Sequence, residues 1–452
     1  MEIQLSDHFN YKRLFRFVLP SIVMMVFTSI YGVVDGFFVS NFAGKTEFAA
    51  VNLIMPFLMI LGCLGFMLGT GGSAVVAMTL GTGRKEKANQ IFSMLVYIGF
   101  IAGVVIAVLG IIFVEPVAVL LGATDEMLKF CVIYGRIILM AVPMFILQNM
   151  FQSFLVTAEK PKFGLLVTVI TGMTNMVLDA LFLGGLRWGV VGAAAATAIS
   201  QFLGGVIPVL YFIRKDSTPL HFVKTTLDIR TLFKVCINGS SELVSNISMS
   251  VVSMLYNFQL MKYAGENGVA AYGVIMYVTF IFVAIFIGYS IGTAPIVSYN
   301  YGSGNKNELK NVFGKSVKLM AGAGVVLAGL SMVLASPLSK IFVGYDKELC
   351  DMTVRAFVIY SLSFIFCGFS IYGSSLFTAL NNGLVSALIS FLRTLVFQIA
   401  AILIMPLIWG LDGIWFSVVV AEVFAMILTT IFVIVNRKRY GYWGRYYEDG
   451  TK

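Results

Sequence analysis

Residues 81–92 read GTGRKEKANQIF, and residues 302–313 read GSGNKNELKNVF. The second stretch repeats the first at an offset of 221 positions, and that one offset aligns landmarks along most of the chain. AGKTEFAAVNLIM (43–55) falls on AGENGVAAYGVIM (264–276), and WGVVG (188–192) on WGLDG (409–413). Glu115-Pro116 falls on Ser336-Pro337, Asp125 on Asp346, and Thr157-Ala158 on Thr378-Ala379. The chain therefore reads as two copies of one unit, residues 1–213 and 235–436. A basic linker, 214–234, joins them, and a basic tail, 437–452, follows.

Each unit is apolar throughout. The chain is 59% hydrophobic and only 12% charged, with a mean hydropathy of +0.93, where soluble proteins carry about 25% charged residues. Too few polar residues exist to cover a soluble surface. Apolar runs recur at transmembrane length, about 20 residues each. We expect twelve spans, near 14–40, 48–78, 92–114, 127–150, 163–184, 189–213, 235–261, 270–299, 312–334, 350–376, 384–408 and 412–435. The expected fold is an all-α integral membrane protein with two six-helix bundles. Six spans is an even number, so both bundles enter the membrane in the same sense, related by a pseudo-twofold axis along its normal. The opening MEIQLSDHFNYKRLFRF is polar and basic, with no small-residue cleavage site after the first apolar run, so a retained N-terminus is expected.

Loop charge sets the orientation. With the N-terminus in the cytoplasm, one side collects Lys12, Arg13, Arg16, Arg84, Lys85, Lys87, Lys160 and Lys162. It also collects Arg214, Lys215, Lys224, Arg230, Lys234, Lys306, Lys310, Lys315, Lys318 and the tail's Arg437, Lys438, Arg439, Arg445 and Lys452. The other side holds Lys45, Lys129, Arg187, Lys262, Lys340 and Lys347, and Arg136, Arg355 and Arg393 fall inside spans. Both termini are expected in the cytoplasm of a multi-pass cell-membrane protein. The net charge of +9 is thus accounted for by a cytoplasmic membrane face, and no basic–aromatic motif points to nucleic acid.

Five scattered cysteines (63, 131, 236, 350, 367) form no metal or redox pattern. The glycine turns at 81–83 and 302–304 lack GxxxxGK[ST] and follow no strand, so they are not nucleotide loops. No nucleophile–base pair or metal-ligand cluster stands out. The reading is a transporter rather than an enzyme, needing no cofactor beyond a coupling ion.

The repeat separates scaffold from chemistry. Five polar residues of the first unit have unlike mates in the second: Asp35 against Tyr256, Tyr134 against Arg355, Asn175 against Val396, Asp179 against Ala400 and Thr197 against Val418. All five fall at one depth, in the outer half of the membrane, at 1.5 Å of rise per residue. Asn175 and Asp179, four apart, share a helix face. An intramembrane charge costs at least ~2.5–3.5 kcal/mol on insertion scales and usually marks an ion or proton pathway. Two desolvated carboxylates that repel each other suit uptake of a proton or of a hard cation. Asp35, Asn175, Asp179 and Thr197 are accordingly the candidate H⁺ or Na⁺ site, with Tyr134 beside them; the bland alternative is a static interhelical hydrogen-bond network. Candidates for a substrate cavity are Tyr31, Gln148, Tyr256, Glu242, Arg393 and Glu422. Glu242 could equally serve the positive end of its helix, and Arg393 could pair with an acid or anchor a carbonyl.

This pattern resembles the MATE (multidrug and toxic compound extrusion) family across essentially the whole chain, as a bacterial-type member. The resemblance rests on the twelve spans, on the G-T-G and G-S-G turns after spans two and eight, and on the first unit's polar set. In the family a span-one Asp follows a Pro by fifteen residues, as Asp35 follows Pro20. A span-five N-x-x-x-D matches Asn175 to Asp179, and a span-four Tyr and a span-six Thr match Tyr134 and Thr197. The resemblance implies a monomeric antiporter that exports amphipathic, often cationic, drugs or toxic metabolites against inward H⁺ or Na⁺ by alternating access. It also implies a first helix that can kink at Pro20. The acids that one branch of the family carries in spans seven and ten are missing from NISMSVVS and FSIYGSSLF, which favours coupling through the first unit alone. The alternative is a flippase for lipids or lipid-linked oligosaccharides.

Overall fold

The computed structural model describes residues 3–214 and 219–444. Lys215 of the linker and Arg445 and Lys452 of the tail lie outside the described residues. Among the described residues the chain is helical, with no strand.

The first bundle contains helices Tyr11–Phe42, Lys45–Gly81, Lys85–Leu120, Asp125–Thr157, Pro161–Asp179 and Gly189–Ile213, the six expected spans. The first four helices extend beyond the apolar cores that mark them in the sequence. The second bundle hides its spans in long runs. Ile229–Gly302 is 74 residues long, about 110 Å of helix at 1.5 Å per residue, against a hydrocarbon core of about 30 Å. The run is broken at Gly265 (φ 59°, ψ −148°), a conformation open to glycine and strained for any other residue. The second such break is Gly410 (φ 57°, ψ −132°), whose repeat mate Gly189 also has φ +57°. Lys347–Ser361 and Phe364–Ala379 form one span bent by 47°. With Lys306–Val343 between them, the second bundle also has six spans: 229–264, 266–302, 306–343, 347–379, 383–409 and 411–440. Span seven therefore starts at 229, inside the expected linker, and span twelve runs to 440. Asp228 caps span seven by accepting from Thr231 N and Oγ1 at 3.0 and 2.7 Å. Those bonds hold its carboxyl below the usual carboxylate range.

The bundles meet at the end that carries the N-terminus, and there the duplication becomes visible as geometry. A methyl added at Gly81 would overlap Tyr299 O, and one added at Gly302 would overlap Met78 O. Gly81 and Gly302 are repeat mates, and so are Met78 and Tyr299, so the pseudo-twofold axis passes between these turns. The approach of Gly239 to Met67 O is mirrored by Gly288, the mate of Met67, against Ser21 O. Gly71 packs on Val235 and Gly239; its mate Gly292 packs on Val18, the mate of Gly239. Only residues without a Cβ allow backbones this close.

The segment before span one ties the same end together. Leu5 N donates to Glu159 Oε1 of the first bundle at 2.7 Å, and Phe9 N donates to Glu308 Oε1 of the second at 2.9 Å. Leu5 and Phe9 are buried in the second bundle's apolar core. Span one then runs unbroken through Pro20 as one helix, and Phe27 and Tyr31 reach Gly172 of span five.

Candidate functional site

Within the first bundle, Asp35 of span one lies against Asp179 and Asn175 of span five. Their burial follows from sequence: Asn175 and Asp179 occupy the one buried stripe of a helix whose other faces are apolar. A π-helical stretch, Ala180–Gly185, begins directly after Asp179, and such turns concentrate at functional sites. Asp35 Oδ1, both Asp179 carboxyl oxygens, Asn175 Nδ2 and Thr197 Oγ1 are buried without a partner in hydrogen-bonding geometry. Each such group costs about 1–3 kcal/mol, so the cluster is poised to take up something that the fold itself does not supply. Tyr31, four residues before Asp35 on the same helix, is the phenol nearest to it in sequence and lies within its electrostatic reach.

Tyr134 is fully buried within electrostatic reach of both acids, but its hydroxyl is directed at Met55 Sδ, 4.0 Å away, and makes no hydrogen bond to either carboxylate. Pro20 stands about 22 Å from Asp35 along the helix, beside Val18 and Ser21, which meet Gly292 and Gly288 of the second bundle. Gln148 is buried between spans four and six, where Gly204 packs against its amide, and lines a small internal cavity of the first bundle. Glu242 lies in the first half of span seven, within electrostatic reach of Cys63 on span two, so it sits between the bundles.

The second bundle treats the equivalent positions differently. Tyr256, the mate of Asp35, is 2.6 Å from Ser417 Oγ and donates to Gln398 Oε1 at 3.2 Å. Its ring stacks on Tyr272 at 5.3 Å. Sequence reading missed Ser417 and Gln398 as its partners, since neither stands out within its own span. Arg393 and Glu422, both candidates for the cavity wall, hold each other. Arg393 Nη2 is 2.9 Å from Glu422 Oε1, and Arg393 Nε donates to both carboxyl oxygens at 3.1 and 3.0 Å. A closed pair presents no net charge to a ligand. Arg355, the mate of Tyr134, pairs with Asp412 at the end of the bundle remote from the N-terminus.

Breaking a buried pair strands a charge, at about 3–5 kcal/mol, whereas replacing both partners by apolar groups is close to neutral. Arg393→Met alone is therefore expected to lower the thermal unfolding midpoint substantially, and Arg393→Met with Glu422→Leu to recover most of the loss. Equal midpoints for the single and double variants would refute the pairing.

The MatE family model matches residues 20–181 and again 243–404, one match in each bundle. The chain belongs to the MatE family. The two matches reproduce the internal repeat, and together they cover well over half of the protein. Among similar proteins is the multidrug export protein MepA of Staphylococcus saprophyticus, 26% identical over 436 residues, covering 95% of this chain and 94% of that one. MepA of Staphylococcus haemolyticus is 24% identical over 433 residues, with the same coverage. Among solved structures, a MATE protein in complex with MaL6 superposes with a TM-score of 0.90 at 23% identity, covering 94% of this chain and 96% of that one. An outward-facing multidrug resistance MATE transporter of the MOP superfamily gives 0.89 at 23%, with the same coverage. These structures share the fold: twelve helices in two bundles.

Proposed function

We propose that this MatE protein is an ion-coupled antiporter of the cell membrane, exporting amphipathic and often cationic compounds. The observation that carries the proposal is the Asp35–Asp179 pair in one bundle only, with three of its four carboxyl oxygens buried and unpartnered, set against Tyr256 and Ala400 at the matching positions of the other. Two carboxyls held against each other, with three of their four oxygens buried and unpartnered, take up a proton or Na⁺ when the outside is accessible. Uptake removes their mutual repulsion and lets spans one and five close together, which favours substrate release to the outside. Loss of the ion to the cytoplasm restores the repulsion and the substrate-accepting state. Asp35, Asn175, Asp179 and Thr197 supply oxygen ligands suited to Na⁺, and the two carboxyls alone suffice for protons.

The relatives named multidrug export proteins support the choice of cargo. Loop charge supports cytoplasmic termini, and the glycine seam between the bundles then closes the cytoplasmic end. The flippase reading loses its main support, because Arg393, the buried cation that would meet an anionic head group, is already neutralised by Glu422. The test is the purified protein in liposomes, with pH and Na⁺ gradients imposed separately and a fluorescent cation such as ethidium inside. Gradient-driven ethidium movement is expected; movement of labelled lipid with no ethidium transport would reverse the choice.

A further inference from the structure

The buried face of span five is polar well beyond the acid pair. Gly164, Thr168, Thr171, Asn175 and Asp179 recur at intervals of three and four and are all buried, which makes them one stripe of the helix. Leu166, Ile170, Met173 and Val177 on its other faces are exposed. The repeat mates of the stripe are Val385, Ile389, Leu392, Val396 and Ala400; of these only Ile389 is buried, and span eleven turns Ser386 and Ser390 inward instead, where they bond Ser374 and Thr378. Facing the stripe, Gln148 and Gln152 lie four apart on span four, and their mates are Phe369 and Gly373. The second bundle closes its serines on one another, whereas the two glutamines of span four have no polar mate there.

Between these helices lies a cavity lined in part by Gln148, Gln152, Thr168, Thr171, Gly204 and Pro208, with about 10 Å³ open to the centre of a water molecule. That is room for about one water. Gln148 is only 7% exposed, and its Oε1 has no partner; Gln201 Oε1 on span six has none either. Thr168 Oγ1 donates to Gly164 O at 3.0 Å and Thr171 Oγ1 to Thr168 O at 2.9 Å, which leaves both hydroxyls able to accept from water. One water in the cavity would satisfy Gln148 Oε1 and reach the threonine hydroxyls.

We infer that this stripe is a water file through the first bundle, leading from Asp35 and Asp179 to the end that bears the N-terminus and releasing the coupling proton to the cytoplasm. The inference rests on the ion-coupled reading of the acid pair and names the route. From Asp179 to Gly164 the stripe covers about 22 Å at 1.5 Å per residue, most of the depth left below the acids. A proton leaves a carboxyl for the adjacent water, and each water of the file accepts one proton and passes one on, while the threonine hydroxyls, whose own protons bond backbone carbonyls, hold the waters by accepting from them. The net change is a carboxylate and one proton delivered to bulk water. The glutamine amides orient the waters without titrating. Among the described residues, the other titratable side chains within electrostatic reach of the acid pair are Tyr31 and Tyr134.

The test uses the full-length protein in liposomes with an internal pH dye, an ethidium gradient to drive counter-movement of protons, and the variants Thr168→Val, Gln152→Leu and Thr168→Ser. Thr168→Val and Gln152→Leu are expected to slow proton flux by about tenfold or more, with ethidium affinity changed by less than about twofold. Thr168→Ser is expected to restore the flux. Proton flux at the unmodified rate in folded Thr168→Val, which keeps the shape of the side chain, overturns the file. So does transport coupled to Na⁺ with no proton movement. If Asp179→Asn abolishes proton flux while the file variants leave it intact, the coupling reading stands and the route falls.

Discussion

Asp35→Asn and Asp179→Asn are each expected to lower gradient-driven export of an amphipathic cation by about a hundredfold, the upper part of the usual range for coupling between two sites. Asparagine keeps the size and the hydrogen-bonding capacity of the side chain but cannot bind and release a proton, and it weakens any cation site by a full charge. It also removes the repulsion between two desolvated carboxylates, so thermal stability is expected to hold or rise. Retained stability separates loss of coupling from loss of fold. Tyr256→Phe at the mate of Asp35 gives the contrast: it removes a hydrogen bond to Gln398 and the contact with Ser417. It should cost stability, about 1 kcal/mol or somewhat more, and leave coupling in place. Export assays in liposomes and thermal unfolding of the same four proteins decide the matter.

The second large effect is expected at the glycine seam. Gly81→Ala and Gly302→Ala each drive a methyl into a carbonyl of the opposite bundle. Overpacking typically costs about 1–3 kcal/mol, but here only the state with this end closed bears the cost. The equilibrium should move toward the state open at the N-terminal end by about tenfold or more for each substitution. Nitroxide labels at Arg84→Cys and Asn307→Cys, on the two exposed turns beside the seam, would report the shift as a longer distance population. Because Gly81 and Gly302 are related by the pseudo-twofold, the two substitutions should act alike. A shift with one and none with the other would argue against the symmetric seam.

Much of this architecture is legible in the sequence because a membrane enforces it. Spans declare themselves as apolar runs, and the 221-residue offset shows that there are two bundles, even where Ile229–Gly302 is continuous enough to read as one helix. AGENGVAAYGVIM at 264–276 repeats a known turn, and Gly265 breaks the run there. The polar depth comparison also brought Asp35, Asn175 and Asp179 to one place, because helical rise fixes depth and a spacing of four fixes a face. Contacts set by how helices rotate against each other were not legible. Arg393 and Glu422 lie on different spans, and nothing in either span indicates that they close on each other. Tyr134 shares the depth of the acids, yet its hydroxyl is directed at Met55, a matter of side-chain direction that depth does not decide. The glycines of the seam read as ordinary small residues until the opposite backbone is present.

The central claim is that Asp35 and Asp179 tie ion movement to cargo movement. Its most direct test reverses the usual assay: liposomes holding the protein and a gradient of ethidium alone, with no ion gradient, while internal pH and Na⁺ are recorded. The account predicts that ethidium flow drives a counterflow of H⁺ or Na⁺, and that Asp179→Asn abolishes it. Ion counterflow undiminished in Asp179→Asn and in Asp35→Asn would contradict it.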